Sequence, residues 1–238
     1  MNVILAGHGR MGKMIESLLE RFDDMNIIGI VDVGLFEKPS DVPGEADVLI
    51  DFSHPDNLEA IVEYAKNTGC ALVLGTTGYE PHHIETIRKA ALDCAIVHSA
   101  NYSMGVYMLK KAVSAVAPVL LDAGFDVEIV EIHHNQKVDA PSGTAKLLLK
   151  AVDPDDAYPH IFGREGITGK RGNEIGVHAL RGGTIAGDHS VYFFGEDETL
   201  ELRHTATSRR IFAAGAIQAA RFINGKNAGL YDMNDVLG

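Results

Sequence analysis

The segment from Glu131 to Ala145 concentrates residue types that can move a proton and bind an anion. It holds two adjacent histidines, His133 and His134, then Lys137, and then the run Ser142-Gly143-Thr144. Histidine is the usual proton donor near neutral pH, and lysine can bind a carboxylate or give a proton. The last run opens a predicted helix over 142–151, whose first turn offers free backbone N–H groups to an anion. The segment therefore predicts a site for a small polyanionic substrate that also receives a proton.

The order of residues in this segment leaves two questions open. Successive side chains of a strand point to opposite faces, so His133 and His134 can line one pocket only if the strand ends there. A structural role for the histidines is the alternative, although Lys137 and the Ser-Gly-Thr run favour a functional one. Metal-ligand spacing is missing and no cysteine lies nearby, so we predict no metal.

A glycine-rich turn near the start of the chain predicts dinucleotide binding. The motif G-x-G-x-x-G directly follows a predicted strand, Asn2–Ala6, and opens a predicted helix; its residues are Gly7, His8, Gly9, Arg10, Met11 and Gly12. Asp32 ends the second predicted strand, where a carboxylate meets the adenosine ribose. This carboxylate favours NADH, but Arg10 or Lys13 could reach the 2′-phosphate of NADPH, so use of either cofactor or both stays open. A glycine turn without a ligand is the alternative.

Two further loops follow predicted parallel strands at their carboxyl ends. Gly75-Thr76-Thr77-Gly78 follows the fourth strand of the sequence, and Ser99-Ala100-Asn101-Tyr102 follows the fifth. Open α/β sheets bind their ligands at this edge. We therefore predict that both loops contact the nicotinamide ribose and carboxamide, with ordinary turns as the alternative.

The elements that must position these residues predict an α/β protein with two domains. Short Val-, Ile- and Leu-rich runs alternate with amphipathic helices over the first hundred residues, which is typical of a Rossmann doubly wound parallel sheet. Later strands are separated by short turns, which favours a C-terminal α+β domain with a mixed or antiparallel sheet. We expect a dinucleotide-binding domain over 1–103, to which 209–238 returns, and a second domain over 104–208.

Several polar groups outside these motifs have ordinary interpretations. The run Arg181-Gly-Gly-Thr184 is interpreted as a tight hairpin, with a pocket or subunit contact as the alternative. His204 and the pair Arg209-Arg210 are interpreted as surface or hinge features.

Composition excludes some classes of partner. The chain has 238 residues, is 46% hydrophobic and carries a net charge of −12, which argues against a nucleic-acid partner. No apolar run approaches the roughly 18 residues of a membrane span, and no signal peptide is expected. Cys70 and Cys94 are predicted to be buried thiols in a reducing cytoplasm.

Taken together, these motifs resemble the family of 4-hydroxy-tetrahydrodipicolinate reductases, formerly called dihydrodipicolinate reductases, of diaminopimelate and lysine biosynthesis. The resemblance runs along the whole chain and is most specific over Glu131–Ala145. It implies NADH- or NADPH-dependent hydride transfer to a small cyclic imine dicarboxylate, followed by protonation. It also implies a cytoplasmic homotetramer whose second domain carries the substrate and tetramer contacts.

By position, the resemblance makes His133 the acid/base and Lys137 the second proton donor. It assigns substrate binding to His134, Gly143 and Thr144, together with the neighbouring Ser142. The chain departs from many members after Asp32, where it lacks the arginine that binds a 2′-phosphate.

Two other functions remain as alternatives. An amino-acid or imine dehydrogenase shares the Rossmann half but does not explain the His-His-x-x-Lys and Ser-Gly-Thr segment. A catalytically idle nucleotide sensor has no need of Lys137 and the histidines.

Overall fold

The computed structural model describes residues 1–238, which divide into two compact units. Unit 1 comprises Met1–Met104 and Arg210–Gly238, and unit 2 comprises Gly105–Arg209. Unit 2 is thus inserted into the sequence of unit 1.

Unit 1 contains a six-stranded parallel sheet with helices. The strands are β1 (Asn2–Ala6), β2 (Asn26–Val31), β3 (Val48–Asp51), β4 (Ala71–Leu74), β5 (Ala95–His98) and β11 (Gly229–Tyr231), in the spatial order β11-β5-β4-β3-β1-β2. All of their pairings are parallel. Strands β3 and β4 are buried at every position, because helices lie on both faces of such a sheet.

The helices of unit 1 start and stop at recognisable residues. They are α1 (Arg10–Leu19), α2 (Leu58–Thr68), α3 (Pro81–Ala90), α6 (Arg210–Ile223) and α7 (Met233–Leu237), with short 3-10 turns at Pro39–Asp41 and Pro55–Asn57. Gly69 ends α2 with φ of 76°, a left-handed conformation that glycine adopts without steric cost. Helix α6 packs closely, since a Cβ on Gly215 would come within 1.7 Å of the Tyr102 carbonyl oxygen.

Unit 2 contains a five-stranded mixed sheet. Its strands are β6 (Asp126–His133), β7 (His160–Ile161), β8 (Ile175–Arg181), β9 (Gly187–Phe194) and β10 (Thr199–Ala206), in the spatial order β10-β9-β6-β8-β7. Central strand β6 runs parallel to β8 and antiparallel to β9. The Rossmann sheet and the mixed sheet confirm the predicted fold class.

One face of the mixed sheet is covered by the two helices of unit 2, α4 (Met104–Asp122) and α5 (Gly143–Val152). Alternate β6 side chains, such as Val127 and Ile129, pack there with Val113 of α4 and Leu148 of α5. This alternation sends Glu131 and His133 to the covered face and Glu128 to the opposite one.

The structure corrects the interpretation of Arg181–Thr184 as a tight hairpin. Strands β8 and β9 do not pair; β6 lies between them. The connecting loop instead bonds to the end of β6: His133 O accepts from Gly182 N at 2.9 Å, and Ile185 O accepts from His134 N at 2.8 Å. The loop therefore helps to hold the paired histidines. Strands β7 and β11 and helix α7 were not predicted.

Helix α4 corrects the statement that no apolar run approaches the length of a membrane span. Its 19 residues contain an 18-residue window of mean hydropathy 1.4, and 28% of that window is buried within the protein. By length and composition alone it could cross a membrane. Core helices pass the same test, and α4 contributes Leu109, Val113 and Ala117 to the core of unit 2, so this is weak evidence for a span.

Candidate active site

The glycine turn of unit 1 has the close packing expected of a dinucleotide-binding motif. A Cβ on Gly12 would come 1.9 Å from Gly7 O, and one on Gly7 would come 2.5 Å from Phe52 O. These two glycines are thus needed for the turn itself. A Cβ on Gly9 would meet no atom within 4 Å, so Gly9 leaves open space in front of the first turn of α1. This is the arrangement in which backbone can approach a pyrophosphate.

Asp32 lies beside this turn. One of its carboxylate oxygens accepts a hydrogen bond from the His8 backbone N–H, and the other accepts from Val33 N at 2.7 Å. The His8 ring contacts Glu16 at 2.7 Å. The structure therefore brings Asp32 to the glycine turn, as the spacing predicted, and the next residues, Val33 and Gly34, are exposed and uncharged.

The loop after β4 is held by a buried carboxylate that the sequence did not reveal. Asp51 is fully buried and accepts from Ser53 Oγ at 2.5 Å and from Tyr79 OH at 3.1 Å. Thr76 Oγ1 accepts from Ser53 N at 2.9 Å. Burial raises the pKa of Asp51, and these hydrogen bonds offset only part of that rise. The Thr76 side chain is therefore used inside the protein, whereas Thr77 is exposed.

The loop after β5, like the loop after β4, combines side chains that bond within the protein with others that are exposed. Ser99 Oγ donates to Asn101 O at 2.7 Å, and Asn101 Oδ1 accepts from Ser103 N at 2.8 Å, so the loop is internally braced. Tyr102 is buried and donates to Leu74 O at 2.8 Å. Its ring therefore supports strands β4 and β5, while Ala100 is exposed at the same edge.

In unit 2, a single carboxylate connects His133 to the start of α5. Glu131 is fully buried, and its Oε2 lies 2.5 Å from His133 Nδ1. Its Oε1 accepts from the Ser142 backbone N–H at 2.9 Å. The Arg181 guanidinium donates to both oxygens, each at 2.8 Å. Burial raises the pKa of Glu131, but the bonds from Arg181, His133 and Ser142 outweigh it and hold the pKa below its usual range.

The other nitrogen of the His133 ring faces Gly187. A Cβ on Gly187 would come 2.9 Å from His133 Nε2, so only glycine leaves that side of the ring uncrowded. Since an ionised carboxylate can only accept, Nδ1 must carry the hydrogen and Nε2 is the nitrogen left for chemistry.

The first turn of α5 has the features of an anion cradle. Ser142 is the N-cap residue, and its Oγ accepts from Ala145 N at 3.1 Å. Gly143 is exposed, and a Cβ there would meet nothing within 4 Å. Thr144 follows, half-buried. Backbone N–H groups in such a turn attract a carboxylate.

A second buried histidine supports this cradle. His189 lies on β9, and the distance between its Nε2 and Ser142 Oγ is 3.1 Å. Its ring meets that of His133 edge-on, with centroids 5.1 Å apart. Burial, and then the neighbouring His133, lower the pKa of His189 to about 4. The ring is therefore neutral near pH 7. The sequence analysis did not single out His189, which lies within an ordinary strand pattern.

Two cationic side chains complete the polar groups of this region. The β6 strand ends at His133, and His134 lies 3.3 Å through Nε2 from Arg209 NH2. Arg209 had been interpreted as a surface or hinge residue, and no local spacing signals its contact with His134. Lys137 Nζ lies 2.7 Å from Asp139 Oδ1.

A possible cation-binding trio lies apart from these residues in unit 2. Asp153, Asp156 and His160 place one ligand atom each within 4.8 Å of the others. However, Asp153 already accepts from two backbone N–H groups, of Ala157 and Tyr158, and from His160. The carboxylate of Asp153 therefore holds the loop that follows α5, which accounts for the arrangement.

Both halves of the chain match models of one family. The model described as dihydrodipicolinate reductase, N-terminus, matches residues 1–102, and the one described as dihydrodipicolinate reductase, C-terminus, matches residues 105–237.

Whole-length relatives carry a corresponding name. The 4-hydroxy-tetrahydrodipicolinate reductase of Clostridium novyi (strain NT) is 41% identical over 246 residues, covering 99% of this chain and 97% of the relative. That of Brachyspira hyodysenteriae (strain ATCC 49526 / WA1) is 41% identical over 239 residues and covers both chains completely.

Solved structures share the fold. Dipicolinate-bound dihydrodipicolinate reductase from Paenisporosarcina sp. TG-14 superposes with a TM-score of 0.76 at 23% identity, over 98% of this chain and 97% of that one. A C. glutamicum DAP dehydrogenase in complex with DAP gives 0.57 at 13% identity, over 100% and 95%. The two family matches and the full-length relatives show that this chain belongs to the dihydrodipicolinate reductase family.

Proposed function

We propose that this chain catalyses the NAD(P)H-dependent reduction of 4-hydroxy-tetrahydrodipicolinate, by way of dihydrodipicolinate, to tetrahydrodipicolinate in diaminopimelate and lysine biosynthesis. The full-length relatives at 41% identity are named for this reductase. The structural observation that carries the proposal is the joining of His133 to the α5 turn through one buried carboxylate, Glu131.

The substrate is a small dicarboxylate, and unit 2 offers matching groups. We assign one carboxylate to the first turn of α5, through the backbone of Gly143 and the hydroxyl of Thr144, with Ser142 fixing the turn. Arg209, which donates to His134 Nε2 at 3.3 Å, supplies positive charge for the other carboxylate or the ring nitrogen, and His134 contacts the substrate beside it. A cation there stabilises negative charge as it develops during reduction.

Proton delivery is assigned to His133 and Lys137. His133 carries its Nδ1 hydrogen toward Glu131, so Nε2, which lies beside Gly187, is the position from which we propose that a proton reaches the substrate. Lys137, held at 2.7 Å by Asp139, is the second donor and a partner for a substrate carboxylate. General acid catalysis of this kind contributes typically 10²–10⁴-fold.

The residues of unit 1 fit a dinucleotide. Open space at Gly9 in front of α1 suits the pyrophosphate, Asp32 suits the ribose hydroxyls, and the exposed parts of the loops after β4 and β5 suit the nicotinamide end. When bound, the reduced cofactor supplies the hydride. Within the predicted cofactor set, the buried Thr76 and Tyr102 side chains support the loops from inside, and backbone or exposed neighbours make the contacts.

We infer that NADH is the preferred cofactor and that NADPH is used less well. Asp32 is fixed beside the turn by the His8 N–H, and a carboxylate there repels a 2′-phosphate. Arg10, exposed at the first position of α1, is the cation that allows NADPH to bind at all.

The free face of the mixed sheet supports assembly into a homotetramer. Leu180 and Phe194 lie on that face, 47% and 39% exposed, and Phe194 stacks on Tyr192. No helix of unit 2 is assigned to that face, so a second copy of the chain is the covering that the proposal requires. The unpaired, buried Cys70 and Cys94 suit the reducing cytoplasm.

The test is spectrophotometric oxidation of NADH and NADPH with substrate made in situ from pyruvate and aspartate semialdehyde by a synthase. We expect rapid oxidation that depends on the synthase, with the lower KM for NADH. Arg10→Ala should raise the KM for NADPH and leave that for NADH nearly unchanged. A folded, NADH-binding protein that oxidises neither cofactor would refute the proposed reaction.

A further inference from the structure

We propose that Glu131 is a positioning residue of this site. Its carboxylate group fixes the proton donor, His133, relative to the first turn of α5, where the proposal places a carboxylate of the substrate. This inference rests on the proposed function. It concerns a residue that touches neither ligand in that proposal and acts through His133 and Ser142.

The two carboxylate oxygens of Glu131 accept hydrogen bonds from different parts of the site. Oε2 accepts from His133 Nδ1 at 2.5 Å, which fixes the ring orientation and keeps the hydrogen on Nδ1. Oε1 accepts from Ser142 N at 2.9 Å, which fixes the residue that caps α5. A displacement of the carboxylate would therefore move the donor and the cradle together.

Arg181 makes this carboxylate rigid. Its two terminal nitrogens reach both oxygens at 2.8 Å in a bidentate pair, and NH2 also donates to Asp139 O at 2.6 Å. Asp139 is the residue that holds Lys137. One ion pair, of which the carboxylate is fully buried, thus connects His133, the α5 cap and the loop that carries Lys137.

The charges around the His133 ring come from several elements. Glu131 lies on its own strand, Arg181 on β8, neutral His189 on β9, and Asp139 lies in the loop before α5. Glu131 is the carboxylate in direct contact with the ring, so it supplies the counter-charge for a protonated imidazole.

Substitution of Glu131 by glutamine removes the negative charge and keeps the size of the side chain, so it tests the two hydrogen bonds that the carboxylate accepts. Arg181 donates to both positions, so either orientation of the amide brings its NH2 against a donor. We expect Glu131→Gln to lower kcat about 100-fold, with a raised KM for the substrate and an unchanged KM for NADH.

Glu128→Gln is the matched control. Glu128 lies on the same strand and also pairs with arginines and a histidine, Arg164, Arg171 and His178, but on the opposite face. We expect this variant to keep kcat and the KM for the substrate within about threefold of the parent, with the mass of the assembly checked by light scattering. Equal kinetic effects of the two substitutions, or an unchanged KM for the substrate in Glu131→Gln, would overturn the inference.

A measurement without turnover distinguishes this inference from the proposed reaction. In ¹⁵N spectra of the unmodified protein, neutral His133 should be the Nδ1–H tautomer. Observation of the Nε2–H tautomer would overturn the positioning role, even if Glu131→Gln failed to fold. Failure of the coupled assay with the Nδ1–H tautomer present would instead refute the reaction and leave the positioning geometry standing.

Discussion

The two faces of strand β6 carry similar residues in different surroundings. On one face Glu131 pairs with Arg181 and His133; on the other, Glu128 pairs with Arg164, Arg171 and His178. In both cases burial raises the pKa of the glutamate, while bonds from the cations more than reverse that rise. The same ion-pair chemistry therefore appears twice within four residues.

The surroundings of the two clusters decide what each can do. The Glu131 side chain is 0% exposed and also bonds the backbone at the start of a helix, whereas that of Glu128 is 15% exposed and bonds side chains. On the Glu131 face one histidine has a second ring nitrogen, Nε2, that lies beside Gly187. The Glu128 cluster instead ties the segment around Arg164 and Arg171 to the sheet. An ion pair contributes to a functional site when it orients a side chain that can contact a substrate.

Replacement of the histidine on each face should give the largest contrast. His133→Ala should lower kcat about 10³-fold, because it removes the proposed proton donor, while NADH binding stays nearly intact. Lys137→Ala should also lower kcat strongly. His178→Ala, on the Glu128 face, should change kcat by less than about threefold. Steady-state kinetics and cofactor titration would check this, and a loss of NADH affinity in His133→Ala would contradict the separation of the two sites.

Removal of one arginine from each face should differ in stability. Arg181→Met leaves the fully buried Glu131 charge with His133 and a backbone N–H, and we expect a loss of roughly 3 kcal/mol or more in the free energy of unfolding. Arg164→Met leaves Glu128 with Arg171 and His178 at a partly exposed position, so about 1 kcal/mol is expected. Urea unfolding of both variants measures the difference. Equal losses of unfolding free energy in the two variants would contradict the proposed effect of burial.

The buried His189 should make the site face sensitive to acid. Its folded-state pKa of about 4 is below the unfolded value of about 6.5, so its contribution to stability is complete above pH 6.5 and declines as the pH falls toward 4. The loss should reach about 3 kcal/mol. His189→Asn should flatten this decline in urea unfolding at pH 7, 5.5 and 4.5. His178→Asn serves as the control, and parallel curves for His189→Asn and the parent would contradict the prediction.

Addition of one methyl group to each face is the mildest comparison. A Cβ on Gly187 would come 2.9 Å from His133 Nε2, and one on Gly176 would come 1.7 Å from Glu128 Oε2. We expect Gly187→Ala to lower kcat/KM about tenfold by displacing the ring, and to lower the melting temperature as well, because Gly187 has a φ of +154° that residues with a side chain rarely adopt. Gly176→Ala should lower the melting temperature by pushing the Glu128 side chain aside, with kcat/KM within about twofold. Kinetics and thermal unfolding together would show whether the two effects separate.

Local sequence was sufficient for most of the elements and for the two principal motifs. Strands β1, β3, β4 and β5 are apolar runs between helices, and their short length and richness in Val, Ile and Leu, rather than any period, indicate buried strands. Strand β7 has two residues and β11 has three, which is too short for any period to appear. The Arg181–Thr184 loop was assigned to a hairpin because its glycines suit a turn, and nothing local shows that β6 lies between β8 and β9.

The parts of the site that were missed depend on contacts between distant positions. Glu131 fits the alternation of a strand, and its partner Arg181 is 50 residues away. Arg209 reaches His134 across 75 residues. The Glu131–Arg181 pair follows from the register of β6 and β8, and the His134–Arg209 contact follows from where the chain runs after β10. The spacing within a motif encodes neither.

Helix α6 has a consequence for the order in which the protein is made. It packs against α1 and against strands β3, β4 and β5, yet it begins about 110 residues after the end of β5. A ribosome that adds about 5–20 residues per second completes this helix on the order of ten seconds after those strands. During that interval the apolar positions that later receive Ala213, Ala216 and Ile217 are uncovered. The parallel sheet of the nascent chain therefore keeps apolar surface exposed to solvent until this helix is made.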